Sequence, residues 1–127
     1  MIKQLFATLF NVKGFAKIAN SFEAKPFPPR EKSLRTTVQA GSVRYRQCAS
    51  ILLDNSGIYV EISYVFNQYP TTFIPWQSIQ NTRKATLYGA NAICFDFADQ
   101  NIPSLLLYEK DVKAFRLKTG DRLNSLE

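Results

Sequence analysis

The chain contains no histidine among its 127 residues. This absence excludes Ser-His-Asp and Cys-His catalysis, the H-E-x-x-H zinc motif and C₂H₂ fingers. The only cysteines, Cys48 and Cys94, lack a C-x-x-C spacing, so neither a zinc site nor an iron–sulfur cluster is expected. They are interpreted as buried thiols, with a single disulfide as the alternative. The five glycines form neither a Walker loop nor a G-x-G-x-x-G motif, so we expect no metal and no cofactor.

Long hydrophobic runs are also missing. No stretch approaches the roughly 20 apolar residues that are needed to cross a bilayer. The apolar residues 5–10 are interrupted by Thr8 and followed by Asn11 and Lys13 without a small-residue cleavage site, which is not typical of an export signal. These features predict a cytoplasmic protein, with peripheral contact at the inner membrane surface as the alternative.

The composition is that of one globular domain, with 46% hydrophobic and 20% charged residues, and its ten Phe and six Tyr favour a strand-rich core. The net charge of +6 is uneven, because residues 1–46 carry nine Lys and Arg against two Glu, whereas the remainder carries seven basic and eight acidic residues. Ordinary solvation of the surface is the favoured interpretation of this basic front, and contact with anionic lipid, nucleic acid or an acidic partner is the alternative.

Apolar spacing divides the single predicted domain, residues 1–127, into consecutive parts. Helical spacing predicts helices over 2–10 and 12–22 in a helical front of residues 1–23. Prolines predict an extended connector over 24–33, and turn signals predict a β meander with a closing helix over 34–118, followed by a tail over 119–127. The fold class is therefore mainly β (α+β), an antiparallel meander or barrel of about six to seven strands. The candidate strands are residues 34–39, 43–53, 58–66, 72–74, 80–88, 92–98 and 102–108, and the closing helix is residues 111–118.

Residues 1–11 form a short amphipathic segment whose role the sequence leaves open. Packing on the fold or self-association is favoured, because so short a helix has little apolar area with which to anchor. Docking on a partner or on a membrane surface is the alternative.

Strict alternation after Gly57 predicts a half-buried antiparallel strand. One face is predicted to carry Ile58, Val60, Ile62, Tyr64 and Phe66, and the other Tyr59, Glu61, Ser63 and Asn67.

The candidate binding residues are basic: Arg30, Lys32, Arg35, Arg44 and Arg46. Because Arg44 and Arg46 alternate with their neighbours in a candidate strand, both guanidinium groups are predicted on one face, where they suit phosphate through bidentate hydrogen bonds. Solvated charge on an edge strand is the favoured interpretation of these residues, and phosphate binding is the alternative. Nucleic acid is not expected, because exposed aromatic residues do not clearly interleave with these charges, although Tyr45 and Tyr59 weaken that argument.

Asp96 and Asp99 are the only close carboxylate pair inside the predicted sheet. Acid–base work by this pair is not favoured. Asp99 is interpreted as a turn residue and Asp96 as an outward-facing residue between Phe95 and Phe97.

Three short motifs resemble those of uncharacterised bacterial proteins with a pleckstrin-homology-like (PH-like) or GRAM-like barrel. Gly57-Ile58-Tyr59-Val60 resembles their G-L-Y-L strand, and Ile74-Pro75-Trp76-Gln77-Ser78-Ile79 resembles their I-P-W-S-E-I, with Gln-Ser in place of Ser-Glu. Phe15-x-x-Ile18-Ala19-x-x-Phe22 is similar to their W-x-x-L-A-x-x-Y helix. The resemblance covers residues 15–118 and implies a fold, without catalytic residues to transfer.

The motif Ile74, Pro75, Trp76 and Ile79 is predicted to be structural: Pro75 ends or bends a strand at an edge, Trp76 packs under the sheet and Ile79 restarts the burial. Ligand stacking on Trp76 is the alternative.

The favoured function is a non-enzymatic binding or scaffolding module for an unknown protein partner, or for self-association, through a sheet edge or groove. Binding to an anionic membrane surface through the basic front is the second hypothesis, and an enzyme is the third.

Overall fold

Residues 14–28, 32–63 and 71–115 are described by the computed structural model. They form an eight-strand antiparallel sheet with two short helices. The helices are α1 (Phe15–Ser21) and α2 (Glu109–Ala114). The strands are β1 (Glu23–Ala24), β2 (Leu34–Ala40), β3 (Val43–Leu53), β4 (Gly57–Ile62), β5 (Thr72–Pro75), β6 (Ile79–Leu87), β7 (Ala90–Phe97) and β8 (Leu105–Tyr108).

The strand order is β1-β5-β4-β3-β2-β8-β7-β6, so β1 and β6 are the edge strands. Strands β2 to β5 pair in sequence, and so do β6 to β8. β1 pairs with β5, and the pairing of β2 with β8 joins the two halves of the sheet. The short turn Trp76–Ser78 links β5 to β6. β5 is the second strand from one edge of the sheet, and β6 is the strand at the opposite edge. Four residue steps span at most about 14 Å, whereas six strand spacings in a flat sheet cover about 29 Å. The sheet must therefore curl until its two ends approach each other.

The inner face of the curled sheet holds the main core, which includes Phe15 and Ile18 of α1 and Phe95 of β7, all with no exposed surface. At the end of α1 the ring of Phe22 lies 5.2 Å from that of Phe97. At the other end of the chain, Thr36 of β2 donates a 2.6 Å hydrogen bond to the buried carboxylate of Asp111, which fixes α2 against the sheet. Both helices therefore belong to the same core as the strands.

A second, smaller cluster covers the outer face of β3 and β4. It is formed by Phe27, Leu52 and Tyr59, with Phe73 packed against it. The prediction of a half-buried β4 is wrong at Tyr59, which is only 2% exposed. The cause is Phe27, which lies in the predicted connector. Its ring covers Tyr59 on the outer face of the sheet, and the alternation of residues in β4 does not predict this contact.

The mainly β, antiparallel prediction is confirmed, although the sheet has eight strands instead of six to seven. The additional strand is β1, which includes Ala24, a residue predicted to belong to the connector. It pairs with β5 at the edge of the sheet. The prolines that follow therefore interrupt no hydrogen bonds between interior strands. The predicted start of the last strand at 102 is wrong, because Ile102 closes a turn by donating its N–H to the carbonyl of Asp99, and β8 begins at Leu105. The closing helix begins at Glu109, two residues before the predicted start.

Several predictions lie outside the described residues. They concern the helix over 2–10, the role of residues 1–11, the end of the strand predicted over 58–66, the last residues of the closing helix and the tail.

Candidate anion-binding site

Arg44 and Arg46 lie in the first half of β3, and both side chains are exposed. Tyr45 between them points into the core and is 4% exposed. Its hydroxyl accepts a 2.7 Å hydrogen bond from the backbone N–H of Phe15. The buried tyrosine therefore holds this part of β3 so that its two neighbours face the solvent.

A bulge follows directly in β3. The pairing with β2 shifts register between Thr36 and Val38, and Gln47 takes a positive φ of 56°. Its backbone N–H donates to Oγ1 of Thr37 at 2.9 Å, and its carbonyl accepts from Nε of Arg35 at 3.1 Å. The bulge thus fixes Arg35 beside the segment that carries the other two arginines.

Arg44 is held in the same manner. Its Nε donates to Oε1 of Gln39 at 3.1 Å, and the amide of Gln39 donates to the carbonyl of Gly41 at 2.8 Å. In the described part of the chain, no group accepts a hydrogen bond from the terminal Nη atoms of Arg35 or Arg44. Each guanidinium is therefore oriented through Nε, while the paired donors that bind carboxylate or phosphate stay available.

Tyr88 completes the cluster, and the sequence analysis did not identify it. It is 50% exposed, more than any other large hydrophobic side chain in the three described ranges. Its ring centroid lies 4.8 Å from the guanidinium carbon of Arg44 and 5.6 Å from that of Arg46, both within cation–π range. We call Arg35, Arg44, Arg46 and Tyr88 the arginine–tyrosine patch.

The backbone of Tyr88 has an unusual conformation for such a residue. Leu87 pairs with Ala90, so Tyr88 and Gly89 form a two-residue hairpin turn, with φ of 51° and 78°. Positive φ at both positions is typical of a type I′ turn, which favours Asn or Gly at its first position. A tyrosine there is strained, and strain of this kind is concentrated at functional positions. The sequence signal for this residue is Gly89, which follows Tyr88 directly in the turn between the candidate strands 80–88 and 92–98.

The positive charge of the arginine–tyrosine patch is not neutralised by acidic side chains among the described residues. Within the described ranges, no carboxylate forms an ion pair with any of its three arginines, although Arg83 and Lys113 each have one. The interpretation as edge-strand charge does not fit the location, because β2 and β3 lie inside the sheet order. Lys32 is exposed two residues before β2, and Arg30 lies outside the described residues. The structure therefore brings together three of the five candidate basic residues and adds one aromatic residue.

The motif residues lie at the corner where β5 leads into β6. Ile74 is fully buried, Pro75 is the last residue of β5 and Ile79 is the buried first residue of β6. Trp76 is partly buried, and its ring centroid is 6.4 Å from that of Phe95. Trp76 therefore lies between β5 and β6, where the two ends of the curled sheet approach each other.

Asp96 is the centre of a separate polar network on β7. It accepts two hydrogen bonds from Arg83, the shorter 2.7 Å, as well as hydrogen bonds from Ser104 and Asn81. The Arg83 hydrogen bond, supported by those from Ser104 and Asn81, lowers the pKa of Asp96 to about 2, although burial opposes the shift. A carboxylate with so low a pKa is a weak base. Both of its oxygens already accept hydrogen bonds, so they are poorly placed to accept a proton from a substrate.

The remaining candidates have structural positions. Asp99 accepts from the backbone N–H of Asn101 at 2.9 Å, which is the turn contact predicted for it. Cys48 and Cys94 are both free thiols, and Cys94 is buried. Burial, followed by the charge of Asp96, raises the pKa of the Cys94 thiol. Neither cysteine forms a disulfide.

No known family model, curated protein or solved structure matches this chain. Within residues 14–28, 32–63 and 71–115, no three His, Cys, Asp or Glu side chains are grouped so as to hold a metal ion. In the same part of the chain, neither helix has the length and apolarity required to cross a membrane.

Proposed function

We propose that this protein is a non-enzymatic, PH-like binding module that recognises an acidic segment of a protein partner through the arginine–tyrosine patch. The observation that carries the proposal is the pair of guanidinium groups of Arg44 and Arg46 beside the exposed ring of Tyr88, without a carboxylate partner among the described residues. Arginine and tyrosine are, together with tryptophan, the residue types enriched among those that contribute most to binding energy at protein interfaces.

The architecture supports the PH-like part of the proposal. The seven strands β2 to β8 are all antiparallel, the first pairs with the last, and a helix follows directly. This arrangement agrees with the meander and closing helix that the motif resemblance implies. Fold analogy alone does not assign a ligand, and the ligand class is therefore argued from the patch.

An acidic protein segment suits the patch better than a lipid surface does. Peripheral segments bind membranes through inserted apolar side chains or through clusters of about four to eight basic residues, and the patch has three. In the described part of the chain, Tyr88 is the exposed large hydrophobic residue, and its ring is engaged with two arginines. A short acidic segment needs no insertion, because the guanidinium donors bind its carboxylates and the ring contacts its apolar atoms.

The test is fluorescence anisotropy with a fluorescein-labelled oligoglutamate peptide at low salt. We expect saturable binding that weakens as salt rises, because the charges involved are exposed. The double variant Arg44→Gln/Arg46→Gln is expected to weaken binding by about tenfold or more. The matched control is Lys17→Gln/Lys110→Gln, which removes the same charge from exposed positions on the two helices and should change the affinity by less than about threefold.

Vesicles of phosphatidylcholine, with and without phosphatidylserine, form the second arm. Sedimentation of the protein with phosphatidylserine vesicles, together with no binding of the peptide, would overturn the acidic-segment proposal in favour of the lipid hypothesis. Equal loss of peptide binding in the patch and control variants would show that net charge alone is responsible, and this would also refute the assignment of the patch.

A further inference from the structure

Strand β6 presents an unpaired edge along most of its length. It contains nine residues, Ile79–Leu87, and it is the last strand of the sheet order, paired only with β7. Among the described residues, no backbone group bonds to the outer side of β6 between Gln80 and Leu87. The other edge strand, β1, has only two residues. β6 is therefore the edge that is long enough to accept another strand.

The turn at Tyr88 determines which backbone groups are available. In a hairpin with a two-residue turn, the flanking residues Leu87 and Ala90 form a hydrogen-bonded pair, and such pairs alternate with non-bonded ones along the ladder. The N–H and C=O groups of Arg83, Ala85 and Leu87 therefore point towards β7. Those that point away from the sheet belong to Thr82, Lys84 and Thr86.

This edge is continuous with the arginine–tyrosine patch. β6 ends at Leu87, and the next residue is Tyr88, whose ring contacts Arg44 and Arg46. Lys84 is exposed and has no ion pair in the described part of the chain, whereas Arg83 is neutralised by Asp96. A strand lying along β6 thus has a positive charge beside its middle and two more beside its end.

We propose that an extended acidic segment of a protein partner adds to the outer edge of β6 as a further strand of the sheet. Its backbone hydrogen-bonds to Thr82, Lys84 and Thr86, while its acidic side chains reach Lys84 and the patch. The inference rests on the proposed function, because the same segment supplies the carboxylates that the patch binds. Main-chain pairing gives such a complex its affinity, and the charges determine which segments are accepted.

The experiment uses the full chain and a short fluorescein-labelled peptide of alternating glutamate and valine. The same peptide with methylated backbone nitrogens keeps its charge but cannot donate to β6. Lys84→Pro removes an outward N–H and leaves the β7 ladder intact, since proline is tolerated where the missing donor faces outward. Lys84→Gln removes the same positive charge and retains the N–H, and is the matched control.

We expect peptide methylation and Lys84→Pro each to weaken binding about tenfold, and Lys84→Gln to weaken it only about twofold to threefold. In amide hydrogen exchange by NMR, Thr82, Lys84 and Thr86 should exchange quickly in the free protein while Arg83 and Ala85 are protected. Addition of the peptide should protect the first three.

The outcomes separate the two proposals. Binding that survives methylation and Lys84→Pro but is lost in Arg44→Gln/Arg46→Gln refutes strand addition and leaves the acidic-segment function standing. The absence of binding by both the oligoglutamate and the alternating peptide refutes both. Slow exchange of the Lys84 amide in the free protein also excludes strand addition, because that edge is then already occupied.

Discussion

The indole N–H of Trp76 donates a 2.8 Å hydrogen bond to the backbone carbonyl of Asp54. This bond joins the corner between β5 and β6 to the turn between β3 and β4, and the backbone N–H of Trp76 adds a 3.3 Å bond to the carbonyl of Ser56. The ring reaches Phe95 on β7 from the same position. A single side chain therefore fastens the two parts of the sheet that curvature brings together.

Removing this side chain is expected to destabilise the fold. Trp76→Ala should lower the free energy of unfolding by about 3 kcal/mol, the lower end for a tryptophan truncation, because the ring is only partly buried. Trp76→Phe keeps most of the apolar contact and loses the donor to Asp54, which should cost about 1 kcal/mol. Urea titration followed by circular dichroism measures both values. Wild-type stability in Trp76→Ala, with loss of peptide binding, would instead assign Trp76 to the ligand.

Gly57 is required by a close approach of two strands. A Cβ at this position would lie 2.1 Å from the carbonyl oxygen of Ile74 on the paired strand. Gly57→Ala is therefore expected to cost about 2 kcal/mol or more, because backbone must move to relieve the clash. Gly89→Ala is the control, since its Cβ meets no atom within 4 Å and only its positive φ is penalised, by about 1 kcal/mol. Equal losses in the two variants, measured by urea titration, would contradict the steric argument.

Tyr88 is expected to contribute to binding but little to net stability. Tyr88→Asn relieves the type I′ turn but loses the cation–π contacts, so its stability should stay within about 0.5 kcal/mol of wild type. Tyr88→Ala loses the same contacts and keeps the strain, and it should be about 1 kcal/mol less stable than the Asn variant. Both variants should bind oligoglutamate more weakly. Thermal unfolding and anisotropy measure the two effects, and tight binding by either variant would remove Tyr88 from the patch.

Asp96 should make stability depend on pH in the acid range. Its folded pKa of about 2 lies below the value near 4 of an unfolded aspartate, so its contribution is complete above pH 4 and is lost as the pH falls towards 2. Asp96→Asn should therefore have a lower Tm than wild type at pH 7, and the difference should shrink between about pH 4 and pH 2. A difference that stays constant over this range would show that the carboxylate charge is not responsible.

Local pattern predicted most strands, because period-two burial and turn residues act within a few positions of each other. The hairpin of β2 and β3 and the outward direction of Arg44 and Arg46 follow from it. Contacts across the curled sheet did not follow. Phe27 covers Tyr59 from a segment far away in sequence, and Tyr88 contacts β3 although three strands lie between β3 and β6 in the sheet order. Neither periodicity nor charge encodes these contacts. The structure therefore brings together three of the five candidate basic residues, whereas the pattern did not identify the aromatic residue beside them.

The pairing of β2 with β8 also constrains how the chain folds. Val38 pairs with Leu107, so the ladder that joins the two halves forms between strands far apart in sequence. Closing so long a loop costs entropy before any contact compensates it, and folds of this kind reach the native state slowly. During synthesis, the edge of β2 that pairs with β8 stays unpaired until β8 has been made, and an exposed strand edge of this kind favours aggregation.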